Sequence, residues 1–239
     1  MLDALPFPRF HVVRAGRALG ALLKDPDDLP QVFALIESMS GTAPYRMLRG
    51  MRRSAEGSRL LRDKPDIVPT LVDREGLRAL PEGSLGRAYL AFVESEGISP
   101  EGIRRANAEG EADGPRLSDA SQYIHERMRD THDLWHAATG YKGDVLGELA
   151  LLAFTLAQNW NTAIAMIIVA AVFKGLGGTD AQLIVDGYRR GRAAAWLPAQ
   201  DWESLLALPV DEVRARLRLG APAVYTPVRT AELRAEGVI

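Results

Sequence analysis

A chain of 239 residues suits one large helical domain, or a domain with a small appendage, and apolar residues at 47% are enough to bury a substantial core. The formal net charge of -2 argues against non-specific nucleic-acid binding, which needs many uncompensated Lys and Arg. Cysteine is absent, which removes any disulfide framework, thiolate metal site or thiol nucleophile and fits a reducing compartment.

Met1 to Phe10 carries Asp3 and two prolines but no basic-then-apolar pattern, so no signal peptide is expected. Nearly every later segment repeats at the helical period, without strand alternation or an Asn-Gly hairpin signal. The expected fold is all-α: a single-domain helical bundle over residues 1–220, followed by a tail from Ala221 to Ile239 that is extended or partly ordered. Asp27, Asp28 and Pro30 open a helix through about Met39, and Gly41 closes it. A basic helix from about Pro44 to Leu61 follows. Ser84 caps a helix stopped by Gly97, and Ser99-Pro100-Glu101 is a further start signal. Residues 108–115 form the loop candidate. Ser118 caps a long helix running to Thr139, with Gly140 as terminator. Asp144 caps another, continuing to about Lys174, and Thr179 one more, through about Trp196 and stopped by Pro198. The longest apolar stretch, Ala163 to Phe173, is short of the roughly 20 residues a bilayer span needs. It reads first as a buried helix, with contact to a lipid or membrane surface as the alternative.

Three of the four histidines fall in one stretch: His125, His132 and His136. On a helix, His132 and His136 are four apart and project from one face, the spacing a single ion needs from two helical ligands. Asp133 is rotated about 100° around the helix and either reaches the same ion or orients an imidazole. If Gly140 to Asp144 is the turn of a central antiparallel helix hairpin, His136 lies four residues before it and Glu148 four after it. Glu148 then faces the histidine pair, and among Val145, Leu149 and Leu152 its carboxylate is expensive to bury without a cation beside it. The expected cofactor is therefore one divalent metal held by His132, Asp133, His136 and Glu148, which would also form the catalytic site. Zinc accepts this set, and so does non-haem iron(II). A zinc protease fits poorly, because Asp133 has a shorter reach than the glutamate of HExxH. His125 reads as a supporting or a solvated residue, too close in sequence for the pattern of an HD-type phosphohydrolase.

At HDLWH (132–136), followed by eleven residues and Glu148 within VLGELAL, the sequence resembles the Coq-four family of coenzyme Q biosynthesis proteins. DPDDLPQVFALIESMSG (25–41), EGSRLLRDKPDI (56–67), LPEGSLGRAYLAFVESEGISP (80–100) and YRRGRAAAWL (188–197) extend the resemblance over roughly Leu19 to Gly220. The family's His-Asp-x-x-His…Glu spacing is its proposed metal signature. The resemblance implies a role in ubiquinone synthesis on a polyprenylated aromatic ring, either as catalyst of oxidative decarboxylation at ring carbon one or as a scaffold of the biosynthetic complex with a structural metal. Implied partners are a polyprenylated quinone precursor or other isoprenoid lipid, other ubiquinone biosynthesis proteins, and a second copy of the chain in a homodimer.

A prenyl tail needs an apolar groove, for which Leu151, Leu152, Phe154, Leu156, Ile164, Ile167 and Ile168 are candidate walls, or else core. The arginines at 189, 190 and 192, and those at 46, 49, 52 and 53, read as solvated helix faces or as sites for anionic headgroups or phosphate. The expected location is cytoplasmic, with any membrane attachment peripheral and on the inner face.

Overall fold

The computed structural model describes residues 10–110, 117–176 and 180–239, and among these it contains α-helices and no β-strand. In chain order they are α1 (Val12–Leu22), α2 (Leu29–Met39), α3 (Ala43–Met51), α4 (Ala55–Asp63), α5 (Val68–Val72), α6 (Arg74–Ala79), α7 (Leu85–Glu96) and α8 (Pro100–Gly110). The second half contributes α9 (Asp119–Asp130), α10 (His132–Thr139), α11 (Val145–Asn159), α12 (Thr162–Lys174), α13 (Gln182–Ala193), α14 (Trp202–Leu205), α15 (Val210–Leu217) and α16 (Thr230–Ala235). The expectations placed on Met1–Arg9, on 111–115 and on Thr179 fall outside the described residues.

Several helix ends obey local chemistry. Ser84 and Ser118 accept from the backbone N–H groups of Arg87 and Ser121, and Asp144 from those of Leu146 and Gly147, so each satisfies donors that the first turn leaves unpaired. The Ser99 hydroxyl does the same for Gly102 at 3.2 Å, with Pro100 opening α8. Gly97 and Gly140 end α7 and α10 with φ of 67° and 82°, a left-handed conformation that costs glycine least.

Each of the three longest expected helices is broken once. Residues 44–61 form α3 and α4, because Ser54 is extended and its hydroxyl starts a new helix by accepting from Gly57. The run to Thr139 is α9 and α10, divided at Thr131, whose hydroxyl donates back to the Arg127 carbonyl at 2.8 Å. The run to Lys174 is α11 and α12, divided where Trp160 takes φ 55° and Asn161 caps α12. Residues 108–110, expected in a loop, complete α8, and Gly110 sits so close to α2 that a Cβ would lie 2.3 Å from the Pro30 carbonyl oxygen. The helix expected from Thr179 begins at Gln182 and ends at Ala193, ahead of a 3-10 turn at Leu197–Ala199 that contains Pro198. Helices α1, α5 and α6 carried no recognised signal.

Packing departs from the expected hairpin. The chief partner of α10 is α7, and that of α11 is α13; the α10 and α11 backbones come close at few positions and meet through side chains. The α11–α13 approach is close because Gly187 and Gly191 lie against the backbone at Ala150 and Phe154. Trp135, Tyr89, Phe154, Leu134 and Leu151 are buried at the centre of the main cluster, with the Trp135 and Phe154 rings edge-on at 6.3 Å. Leu151, Phe154 and Ile167 belong to this core and Ile164 is buried as well, so they do not line an open groove. The apolar side chains left exposed on α12 are Val169, Val172 and Phe173. Among the described residues, no helix is long and apolar enough to cross a membrane. The tail runs without regular structure to Arg229 and then forms α16, whose Leu233 reaches the core.

Candidate metal centre

His132 and His136 sit one turn apart on α10, and Glu148 reaches them from the first turn of α11. The Glu148 carboxylate places one oxygen 3.1 Å from His136 Nε2 and the other 3.5 Å from His132 Nε2, and the two Nε2 atoms are 3.2 Å apart. Ligands about 2.1 Å from one tetrahedral ion are separated by about 3.4 Å, close to the spacing of the two Nε2 atoms and of each from its nearest Glu148 oxygen. They form a group of possible metal ligands in the described residues.

His136 is buried and held by two contacts. Its ring stacks on Phe92 of α7, with centroids 4.8 Å apart and planes 12° from parallel. Its Nδ1 lies 3.0 Å from the Tyr141 carbonyl oxygen. A carbonyl only accepts, so Nδ1 carries a hydrogen, and whenever the ring is neutral its Nε2 lone pair faces His132 and Glu148. Burial works against charge on His136, but Glu148 outweighs it and raises the imidazole above its ordinary value. Burial likewise pushes the Glu148 carboxyl upward, and His136 with His132 overcomes this, holding it well below the usual carboxylate range. The side chains of His132 and Glu148 keep 32% and 42% of their surface exposed, so the centre opens to solvent on that side.

Asp133 is not in the group. It is buried, within electrostatic reach of Tyr89 on α7, and burial raises its carboxyl above the ordinary range despite the two histidines nearby. His125 lies on α9, beyond the Thr131 break, and also outside the group.

Other supports carried no sequence signal specific to them. The carbonyls of Ala137, Ala138 and Thr139, left free at the end of α10, receive guanidinium donors from Arg214 and Arg190. Arg190 also donates to Leu219 and Ala221 and lies over the Tyr141 ring, so its guanidinium is engaged by the protein's own groups. Cations there complement the negative end of the helix dipole. Of the other arginines, Arg46 donates to the Trp160 carbonyl and Arg189 pairs with Asp186.

Fold and site together define a helical protein with a solvent-accessible two-histidine, one-glutamate candidate metal centre. The model of the family described as "Coenzyme Q (ubiquinone) biosynthesis protein Coq4" matches residues 5–223. A relative from Arthroderma otae, named ubiquinone biosynthesis protein COQ4, mitochondrial, is 33% identical over 220 residues, covering 87% of this chain and 76% of its own. One of the same name from Talaromyces stipitatus is 33% identical over 232 residues, covering 91% and 75%. A solved Nostoc punctiforme protein assigned to ubiquinone biosynthesis superposes with a TM-score of 0.67 at 22% identity, over 89% of this chain and all of the other, a likeness of fold. The chain belongs to the Coq4 family of ubiquinone biosynthesis proteins.

Proposed function

We propose that this chain is a metal-dependent enzyme of ubiquinone synthesis that oxidatively decarboxylates ring carbon one of a polyprenylated 4-hydroxybenzoate-type precursor. The observation that carries the reading is the convergence of His132, His136 and Glu148 at ligand spacing with one side open. A divalent ion bound there supplies Lewis-acid attraction for the ring's carboxylate or phenolate and, if it is iron, redox chemistry with oxygen. Two neutral imidazoles and one carboxylate leave such a site net positive, which suits an anionic ring substituent. His136, held by Tyr141 and Phe92, sets the direction of its lone pair, while the more exposed His132 and Glu148 border the approach. Asp133, buried and outside the group, fits a supporting role better than a ligand role.

The rival reading is a scaffold with a structural metal. Structural sites are closed, and the exposure of His132 and Glu148 favours the catalyst. The exposed Val169, Val172 and Phe173 of α12 suit contact with an isoprenoid lipid, a membrane surface at its inner face, or a second copy in a homodimer. Other ubiquinone biosynthesis proteins are the expected macromolecular partners.

Elemental analysis of anaerobically purified protein tests the reading, comparing wild type with His136→Ala and Glu148→Ala. Near-stoichiometric iron in the wild type, lost in both variants together with decarboxylation of a prenylated 4-hydroxybenzoate, is the expected result. Zinc without decarboxylation favours the scaffold, and activity that survives loss of the metal refutes the metal dependence. Protein that binds no metal under any condition defeats both.

A further inference from the structure

The α10 and α11 backbones come close at few positions, although Trp135 and Phe154 meet edge-on between them, so the connection that joins the helices bears on the register of His136 and Glu148. The connection between them, 140–144, is gripped by the carboxyl-terminal tail. Tyr225 bridges it: its hydroxyl accepts from the Lys142 N–H at 2.8 Å and donates to the Asp144 carboxylate at 2.6 Å. The other Asp144 oxygen accepts from the Val228 N–H at 2.8 Å, and the Val145 N–H donates to the Val228 carbonyl at 2.9 Å. Arg229 donates to both oxygens of Glu96 at 2.7 and 3.2 Å, and Glu96 in turn accepts from the Gly143 N–H at 3.3 Å. The tail thus engages Lys142, Asp144 and Val145 directly, and Gly143 both through Glu96 and through an Arg229 hydrogen bond to its carbonyl at 3.4 Å.

The contact reaches the metal helix itself. A Cβ on Gly147, the residue before Glu148, would lie 2.3 Å from the Tyr225 hydroxyl oxygen. Asp144 is buried, and four donors meet its carboxylate: Leu146, Gly147, Val228 and Tyr225. Half of them come from the tail. Tyr225, Val228 and Arg229 all lie beyond residue 223, where the family match ends.

We propose that the carboxyl-terminal segment is a clasp that sets the metal centre's geometry, with Tyr225 as a positioning residue that fixes Glu148 relative to His136 through Asp144. The inference rests on the metal reading above. Removing the hydroxyl frees Lys142 and half of the Asp144 carboxylate, so the first turn of α11 gains freedom without losing a metal ligand.

The test is an optical titration of the full chain with Co(II), alongside thermal melts. Tyr225→Phe is expected to bind Co(II) about tenfold more weakly, the low end for groups that orient metal ligands, with an altered ligand-field spectrum. Leu60→Val, in a separate cluster with Met47 and Met51, is the stability control and keeps wild-type affinity and spectrum. Should Tyr225→Phe fail to fold, Arg229→Ala, on a half-exposed side chain, carries the same test with a smaller loss. Wild-type Co(II) affinity and spectrum in the clasp variants, or a loss no greater than in Leu60→Val, overturns the proposal while leaving the metal reading intact. Failure of the wild type to bind Co(II) overturns both.

Discussion

Gly187→Ala sets two opposing effects against each other at the α11–α13 contact. Alanine in a helix interior is favoured over glycine by about 1 kcal/mol, so propensity alone predicts stabilisation. The new Cβ, however, would lie 2.3 Å from the Ala150 carbonyl oxygen, with the carbonyl carbon and Cα of Ala150 at 3.1 and 3.2 Å. Ordinary contact begins near 3.4 Å, so α13 must retreat by about 1.1 Å along that direction. The obstacle is helical backbone, which cannot rotate aside, and overpacking of this kind costs about 1–3 kcal/mol. Retreat also loosens the packing around Phe154 and Ile184, which are buried. We expect a net loss of about 1–2 kcal/mol, or a Tm lower by about 2–8 °C in a chain of this size. Gly16→Ala is the control. It lies in α1 with nothing within 4 Å of the new Cβ, so propensity acts alone and the Tm should rise by about 2–4 °C. Scanning calorimetry of both variants decides the matter. A Gly187→Ala protein as stable as wild type refutes the inference that this helix pair is at its closest approach.

Arg127 has 3% of its side chain exposed and donates to both oxygens of Glu203 and to the Gln200 carbonyl. Arg127→Met keeps most of the stem but strands a partly buried carboxylate, and should cost about 3 kcal/mol in urea unfolding, near the low end for breaking a buried pair. Adding Glu203→Gln should recover part of the loss; no recovery would mean that the carboxylate was not the cause. Arg229 holds the Glu96 carboxyl below the usual carboxylate range. A depressed carboxyl stabilises fully above its unfolded value, about 4.3, and loses that contribution as the pH falls through the lower folded value. The Tm of the wild type should therefore drop more steeply below about pH 4.3 than that of Glu96→Gln; parallel curves would argue against it. Protons compete with metal for His136, whose value is raised beside Glu148 despite burial. Co(II) affinity should thus fall as the pH drops through the raised His136 value, and a flat profile would show that His136 is not a ligand.

The site was legible because its chemistry is local and periodic. A spacing of four on a helix put His132 and His136 together whatever the tertiary packing, and Glu148 was found by counting outward from Gly140 and Asp144, both of which end or start helices as their residue types dictate. Helix breaks were less legible, since Thr131 and Trp160 interrupt without a proline or glycine. Thr131 carries a hydroxyl that competes for the Arg127 carbonyl, while the Trp160 conformation has no evident signal in the residue itself. Arg190 shows the limit from the other side. Charge in an arginine-rich helix suggested solvent or an anion, but its partners are the carbonyls of Thr139, Leu219 and Ala221, which are 51, 29 and 31 residues away.

Asp133 shows how packing selects among side chains that sequence spacing leaves equivalent. Three positions of α7, spaced as one helical face, meet the metal region in turn: Tyr89 near Asp133, Phe92 against His136, and Glu96 at the Gly143 backbone. With α7 occupying that side of α10, Asp133 is buried at the interface, whereas His132 and His136 meet Glu148 on a side that keeps solvent access. The carboxyl facing the apolar interface is raised, while the one facing the imidazoles is depressed. Asp133 is thus packed beside α7 and outside the donor group, while Glu148 is held as a carboxylate beside the imidazoles. The donors that the packing brings together are His132, His136 and Glu148.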